Sequence, residues 1–357
     1  MPVSVFAAQS FRDHEQVVFC HDRASGLKAI IAIHDLTLGP ALGGCRMWRY
    51  DSDDEALDDV LRLSRGMTYK SAMAGLSFGG GKAVIIGDAK RDKSPALFEA
   101  FGRFIDSLGG RYITAEDVGT SPADFEIVRR QTRHVAGIAE GGSGDPSPAT
   151  AWGVFHGLRA AVEFRLGRDD LNGLTVAIQG LGHVGWALAE HLRKAGARLV
   201  VTDIDAARLA AAKAELGASV VDPEAIYDVE ADVFAPNALG AVLNDDTIAR
   251  LKVAVVAGSA NNQLAEDRHG AVLHRRGILY APDYVINAGG IINISYEGPR
   301  YSQDAAFAHC ARIHDTLAEL FARAGQADLP TNEMADRLAE ERLAHAREAR
   351  PLKVVAR

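Results

Sequence analysis

A strand that runs straight into a glycine-rich turn and on into a helix leaves few folds open, and residues 174–197 read in that order. LTVAIQ is an apolar run of strand length, Gly180-x-Gly182-x-x-Gly185 follows at once, and WALAEHLRKAGA has helical character. A second strand, RLVVTD, then ends on Asp203. Its distance from the last glycine is close to the roughly 20 residues that separate such a turn from a carboxylate that grips an adenosine ribose. The expectation is a Rossmann-type parallel sheet binding a dinucleotide. Backbone amides of Gly180, Gly182, His183, Val184 and Gly185, with the helix dipole behind them, would take the pyrophosphate, and Asp203 the ribose. The His183 side chain, at a variable position of the turn, should point away from the ligand. An acid at position 203 meets the 2′-phosphate of NADP as a like charge, so NAD is expected, with Arg208 as the feature that argues the other way.

A second constellation carries reactive groups. Residues 67–87, MTYKSAMAGLSFGGGKAVIIG, set Lys70 and Lys82 on either side of three glycines, Gly79 to Gly81, read as a turn ahead of an apolar strand. A phosphate-binding Walker loop does not fit, because Leu76 and Ala83 stand where that motif needs Gly and Ser or Thr. About thirty residues on, RYITAEDVGTSPADF places Glu116 and Asp117 after a short strand, Tyr112 to Ala115, and before a capped helix starting near Pro122. Acids at a strand end are well placed to face a cleft.

Composition narrows the class. A chain of 357 residues exceeds what one core usually supports, so two domains are expected. No apolar run reaches the 18 or so residues that span a bilayer, and the N-terminus lacks a basic segment followed by an apolar block. A cytoplasmic protein is expected. Cys20, Cys45 and Cys310 are odd in number and far apart, which argues for free thiols. The twelve histidines contain no HExxH or similar spacing, so no metal is expected. A net charge of −8 with scattered Lys and Arg offers no face for nucleic acid.

Along the chain, Gln16 to Ile33 reads as a hairpin, and Ala56, Leu57, Val60, Leu61 and Leu63 recur with helical period, which puts Lys70 near the end of a long helix with Met67 one turn before it. The Gly-, Ser- and Pro-rich stretch from Gly137 to Pro148 marks a linker or hinge, followed by the helix TAWGVFHGLRAAVEF. ADVFAP (231–236) and VAVVAG (253–258) read as short strands delivering Asn237, Ser259, Asn261 and Asn262 to the carboxyl edge of the sheet. From Tyr301 the chain turns helical and charged, with Leu317, Leu320 and Phe321 on one face. The resulting architecture is α/β: a mixed-sheet domain over 1–138, a Rossmann domain over 139–325 with a cleft between them, and a helical segment over 326–357 that returns to the first domain.

The motifs GPALGGCRM, RGMTYKSAMAGLSFGGGKAVIIGD, TAEDVGT, GLGHVG, VFAPNALGAVLND, VAGSANNQLAE and INAGGIIN occur in this order over nearly the whole chain, which resembles the glutamate, leucine, phenylalanine and valine dehydrogenase family, nearest its leucine-acting members. Ala89, where the family continues with Pro, and Tyr296 with the following EGPRY depart from the pattern. The resemblance implies reversible, NAD-dependent oxidative deamination of an amino acid to its 2-oxo acid and ammonium by a homo-oligomer, dimer or octamer, and it makes the domain over 1–138 the substrate and oligomerisation domain. It implies that Lys70 holds the substrate carboxylate, with the Gly43 and Gly44 backbone lining that end of the site. Lys82, desolvated among the glycines, would deprotonate the attacking water, and Asp117 would relay protons to and from the amine. Thr150, Ala238 and Asn261 would border the nicotinamide and its ribose, and Asn262 the substrate.

The side-chain pocket implied by the family is Leu42, Met67, Ala115, Ile291 and Ile294. All are apolar, so a γ-carboxylate would be left without a cation, at a cost of several kcal/mol. The two isoleucines shrink the pocket toward leucine, valine or isoleucine and away from phenylalanine, by only about 1 to 3 kcal/mol per methylene. An aromatic amino acid remains the alternative. More distant readings are a 2-hydroxy-acid dehydrogenase, which would need a catalytic His and an Arg clamp, and a non-catalytic NAD-binding protein, which would lack one of Lys70, Lys82 or Asp117.

Overall fold

The computed structural model describes residues 4–137 and 144–349, and six residues of the expected linker, 138–143, lie outside the described residues. The chain forms two compact units. One takes the residues up to Gly144 with Glu297–Tyr301 and those from Ala339 onward, and the other takes Asp145–Tyr296 and Ser302–Leu338.

The first unit is built on a five-stranded mixed sheet. The hairpin expected from the sequence is β1 (Gln16–Asp22) and β2 (Leu27–Asp35), closed by a turn in which Ser25 donates to the Asp22 carboxylate and Gly26 takes a φ of 75°. With β3 (Ala41–Trp48), β4 (Gly79–Ile86) and β5 (Tyr112–Glu116) the order is β1-β2-β4-β3-β5, antiparallel across β1/β2 and β2/β4 and parallel across β4/β3 and β3/β5.

Residue alternation assigns each face of this sheet a partner. Ile30, Ala32 and Val84 pack on Ala56, Leu57, Val60 and Leu61 of α1 (Asp53–Met73), while Ile31, Ile33, Ala83 and Ile85 join the core containing Phe98 and Phe101 of α2 (Pro95–Ser107) and Phe125 of α3 (Pro122–Arg129). Helix α1 starts where the Ser52 side chain accepts from Glu55 N–H, with Asp53, Asp54 and Glu55 in its first turn and Lys70 in its last, each sign matched to the helix dipole. Helix α3 begins with a capping box between Ser121 and Asp124.

One expectation changes here. Gly79 to Gly81 are the first residues of β4, buried within the sheet, and do not form a turn. A Cβ on Gly80 would stand 2.1 Å from Thr68 N and Oγ1 on α1, one on Gly79 2.1 Å from Asp35 O, and one on Gly81 2.7 Å from the Tyr112 ring. The glycines are needed because helix and neighbouring strands approach this strand too closely for any side chain.

The second unit opens with α4 (Ser147–Leu166) and continues as an all-parallel alternation: β6 (Thr175–Gln179), α5 (His183–Lys194), β7 (Arg198–Thr202), α6 (Ala206–Glu215), β8 (Ser219–Val220), β9 (Val233–Pro236), α7 (Asp245–Arg250), β10 (Val255–Val256), α8 (Arg268–Arg275) and β11 (Leu279–Tyr280). Strands β9 and β10 are shorter than the runs 231–236 and 253–258 read from the sequence. The sheet order is β11-β10-β9-β6-β7-β8, so the order in which strands are added reverses at the β6/β9 boundary. Helices α9 (Asp283–Ile286), α10 (Gly289–Ser295), α11 (Gln303–Ala311), α12 (Ile313–Ala327) and α13 (Thr331–Ala349) follow. Leu317, Leu320 and Phe321 of α12 are buried together, as their spacing requires. The last turns of α13 belong with the first unit, where Glu340 accepts from Tyr69 Oη, Arg342 donates to Ala72 O and Met73 O, and Arg347 pairs with Asp35 at 2.6 Å. Among the described residues no helix is long and apolar enough to cross a membrane.

Candidate active site

In the first unit, β3, β4, the end of β5 and α1 carry the candidate reactive groups. Lys82 has the same parity along β4 as Gly80 and Val84, so it faces α1, and its side chain is only 8% exposed. Its ammonium lies 2.6 Å from Asp117 Oδ2. Asp117 directly follows β5, and its backbone is pinned by Thr120: the Asp117 N–H donates to Thr120 Oγ1, whose hydroxyl is also within 3.0 Å of Cys45 O on β3. Burial pushes the Asp117 carboxyl up, but Lys82 and then Arg46 outweigh it, and the group is held below the ordinary aspartate value. The acid thus stays ionised beside a buried ammonium.

Gly43 and Gly44 form the floor beside this pair. A Cβ on Gly43 would lie 1.7 Å from Gly81 O and 3.4 Å from Met67 Cγ, and one on Gly44 would lie 2.8 Å from Asp117 Cβ. Only glycine lets β3 pass so close to β4 and to Asp117. Underneath, Tyr112 Oη donates to Gly43 O at 2.6 Å. Leu42 on β3 pairs with Gly80 of β4, and Gly44 with Ala115 of β5, the strand that Asp117 follows, so Leu42 and Ala115 lie on strands next to or continuous with those of Lys82 and Asp117, while Met67 is on α1. Lys70 is half-buried in the last turn of α1, one turn beyond Met67.

Two contributors were not singled out from the sequence. Arg46 Nε sits 3.5 Å from Asp117 Oδ2, and its Nη1 sits 2.9 Å from Asp59 Oδ2 on α1. Thr120 fixes the turn that carries Asp117. The signal for Arg46 was available: it lies at even spacing from Gly44 on β3, opposite Val84, and so shares the face of Lys82.

In the second unit, the loops at the carboxyl ends of β6, β9 and β10 converge at the point where strand order reverses, which is where open α/β sheets bind ligands. Gly180 has a φ of 94°, and a Cβ there would lie 2.7 Å from Ala238 Cβ; one on Gly185 would lie 2.1 Å from Gly180 O. Those two glycines are explained by packing. A Cβ on Gly182 would meet nothing within 4 Å, so that glycine answers to no protein contact. It stands at the N-cap of α5, whose first N–H groups have no intrahelical acceptors, and it leaves them approachable by a pyrophosphate. The residues therefore fit a dinucleotide.

Asp203 follows β7, its carboxylate accepting from Leu181 N–H at 2.6 Å and Asp205 N–H at 2.8 Å, which ties this side chain to the glycine turn. Arg208 is 3.6 Å from the Asp205 carboxylate. The His183 side chain is 79% exposed and 3.8 Å from Asp145. Asn261 Oδ1 accepts from Asn287 at 2.7 Å, Asn262 takes a φ of 52° with its carbonyl accepting from Ala241 N–H, and Thr150 donates to Pro146 O. A Cβ on Gly290 would lie 3.0 Å from Thr150 Oγ1, so the start of α10, which bears Ile291 and Ile294, packs directly on the start of α4.

Residues 14–134 match the Glu/Leu/Phe/Val dehydrogenase dimerisation domain, and residues 141–207 and 201–350 match the Glutamate/Leucine/Phenylalanine/Valine dehydrogenase family. A leucine dehydrogenase of Geobacillus stearothermophilus is 55% identical, with 98% of this chain and 95% of the relative aligned. A phenylalanine dehydrogenase of Bacillus thermotolerans is 52% identical, over 94% of this chain and 90% of the relative. The crystal structure of L-tryptophan dehydrogenase from Nostoc punctiforme superposes with a TM-score of 0.84 at 46% identity, covering 94% of this chain and 97% of that one.

Proposed function

The chain belongs to the glutamate, leucine, phenylalanine and valine dehydrogenase family, and from that premise we propose that it catalyses the reversible NAD-dependent oxidative deamination of a branched-chain L-amino acid. The observation that carries the reading is the buried Lys82–Asp117 pair beside the glycine floor of β3, a base and a proton relay at one point. Bound NAD supplies the acceptor for the hydride that leaves the α-carbon. Lys70 holds the substrate carboxylate. Lys82 takes the proton of the water that attacks the resulting iminium, and Asp117 carries protons to and from the departing amine and balances its charge. The sum is amino acid, water and NAD⁺ giving 2-oxo acid, ammonium, NADH and a proton.

Preference for leucine, valine or isoleucine is supported by the apolar Leu42, Met67, Ala115, Ile291 and Ile294, and by the 55% identity to a leucine dehydrogenase. The phenylalanine-acting relative is nearly as similar at 52%, so overall identity does not decide the substrate, and the choice rests on those few side chains. A cytoplasmic homo-oligomer, dimer or octamer, completes the reading, the dimer being in keeping with the family domain matched by residues 14–134.

The test follows NADH absorbance with ammonium and a panel of 2-oxo acids, beside Lys82→Ala and Asp117→Asn. Ammonium-dependent oxidation favouring branched 2-oxo acids, lost in both variants, supports the reading. Preference for phenylpyruvate moves the protein to the aromatic branch, and turnover without ammonium overturns it.

A further inference from the structure

Arg46 is placed as if to serve Asp117. It lies on β3 opposite Val84 of β4, on the sheet face that also presents Lys82, and its guanidinium spans two carboxylates. Nη1 is 2.9 Å from Asp59 Oδ2 on α1, and Nε is 3.5 Å from Asp117 Oδ2. Asp59 is itself fixed: Tyr50 Oη donates to Oδ2 at 2.8 Å, and Arg62 donates to Oδ1 at 2.9 Å. A chain of fixed groups therefore runs from α1 through Arg46 to the acid, and the same Asp117 oxygen takes Lys82 from β4. Cys45 on β3 and Tyr112 on β5 also interact with Asp117 and are both buried and held protonated, while Lys82 and Arg46 are cations beside its carboxylate. A bridge from β3 to α1 alone would need only the Arg46–Asp59 contact. The second contact, to an acid in the site, calls for a separate reason.

We propose that Arg46 is a positioning residue for the deamination: anchored by Asp59, it keeps the Asp117 carboxylate ionised and oriented between two cations while that carboxylate exchanges protons with the amine. This rests on Asp117 being the proton relay. When Lys82 gives up or regains its proton during turnover, one cation beside Asp117 is lost or restored. Arg46 does not titrate in this range and keeps the acid charged throughout.

The experiment runs the reductive direction with NADH, saturating ammonium and 4-methyl-2-oxopentanoate. There Asp117 must be ionised to take a proton from the incoming amine, and the acid limb of kcat reports its ionisation. Arg46→Gln should move that limb upward by about one pH unit or more, the shift expected for losing a cation at this distance. KM for the oxo acid should stay nearly unchanged, and Arg46→Lys should bring the limb most of the way back. Asp59→Asn keeps the side-chain shape but loosens the anchor, and should move the limb the same way by less. An unmoved limb in Arg46→Gln that unfolds at the wild-type temperature overturns the proposal, as does a Lys variant no better than Gln. Should Arg46→Gln fail to fold, an unmoved limb in Asp59→Asn overturns it equally. Asp117→Asn separates the two levels. If it stays active, the relay reading fails and the proposal with it; if it is inactive while the limb is unmoved in the Arg46 variants, the proposal alone fails.

Discussion

Replacing Gly80 by alanine tests whether close approach of α1 to β4 builds the site. A Cβ at this position would stand 2.1 Å from both Thr68 N and Thr68 Oγ1 and 2.5 Å from Thr68 Cα. Ordinary contact needs about 3.5 Å, so helix and strand must part by about 1.4 Å. The nearest atoms include helix backbone, which no rotamer change can move aside. Overpacking of this kind costs about 1 to 3 kcal/mol. Functionally the displacement matters more, because Met67 and Lys70 flank Thr68 on the helix that moves, whereas Lys82 stays on the strand. A misplacement of about 1 Å between a substrate clamp and the reacting groups can lower turnover about 100-fold. The control is Gly66→Ala, one turn back on the exposed side of α1, where a Cβ would meet nothing within 4 Å. That change should raise stability by about 0.5 to 1 kcal/mol and leave kcat/KM near wild type. Urea unfolding and steady-state kinetics on both variants decide the matter. Wild-type stability and activity in Gly80→Ala would refute the claim that glycine is required there by packing.

Four further outcomes are expected. Gly182→Ala should unfold like wild type yet bind NADH weakly in a fluorescence titration, because its Cβ meets no protein atom and faces the approach to the α5 N-terminus, whereas Gly185→Ala should lose stability as well, its Cβ falling 2.1 Å from Gly180 O. Asp117→Asn and Lys82→Met should each lower kcat by about 100- to 10,000-fold, the range for losing a general acid or base, and equilibrium NADH binding should be kept. His34 is buried, bonded to Thr68 Oγ1 at 2.8 Å and edge-on to His14; burial first, and then the facing His14, hold its pKa down to about 4 from 6.5. Its native ring stays neutral where an unfolded one takes up a proton, so stability is lost as pH falls from about 6.5 toward about 4, by up to about 3 kcal/mol, and His34→Gln should lose less between pH 7 and pH 4.5 in chemical denaturation. Arg347→Ala should speed amide exchange in the last turns of α13, since its 2.6 Å contact ties them to Asp35 on β2.

Most local structure was legible because its signals are short-range. Ser52 with the acids behind it starts α1, the apolar spacing from Ala56 to Leu61 orients it, the turn from Asp22 to Gly26 closes the hairpin, and Gly180-x-Gly182-x-x-Gly185 between a strand and a helix defines the dinucleotide turn. Lys82 and Asp117 were identifiable for the same reason, as a lysine after glycines and an acid at a strand end. What those residues meet is a different matter. Gly79 to Gly81 look like a turn in the sequence and are a strand in the protein, because the groups that demand glycine, Thr68, Asp35 and Tyr112, come from elements distant along the chain. Arg46 is one basic residue within a motif until β3 pairs with β4 and Asp59 of α1 comes over it. Asp203 has the spacing of a ribose ligand, but only the folded turn shows its carboxylate holding Leu181 N–H. Periodicity, capping and turn chemistry act within a few residues and belong to the sequence alone. Strand register, helix-to-sheet distance and the charges surrounding a buried acid are set by non-local contacts, and those the tertiary structure decides.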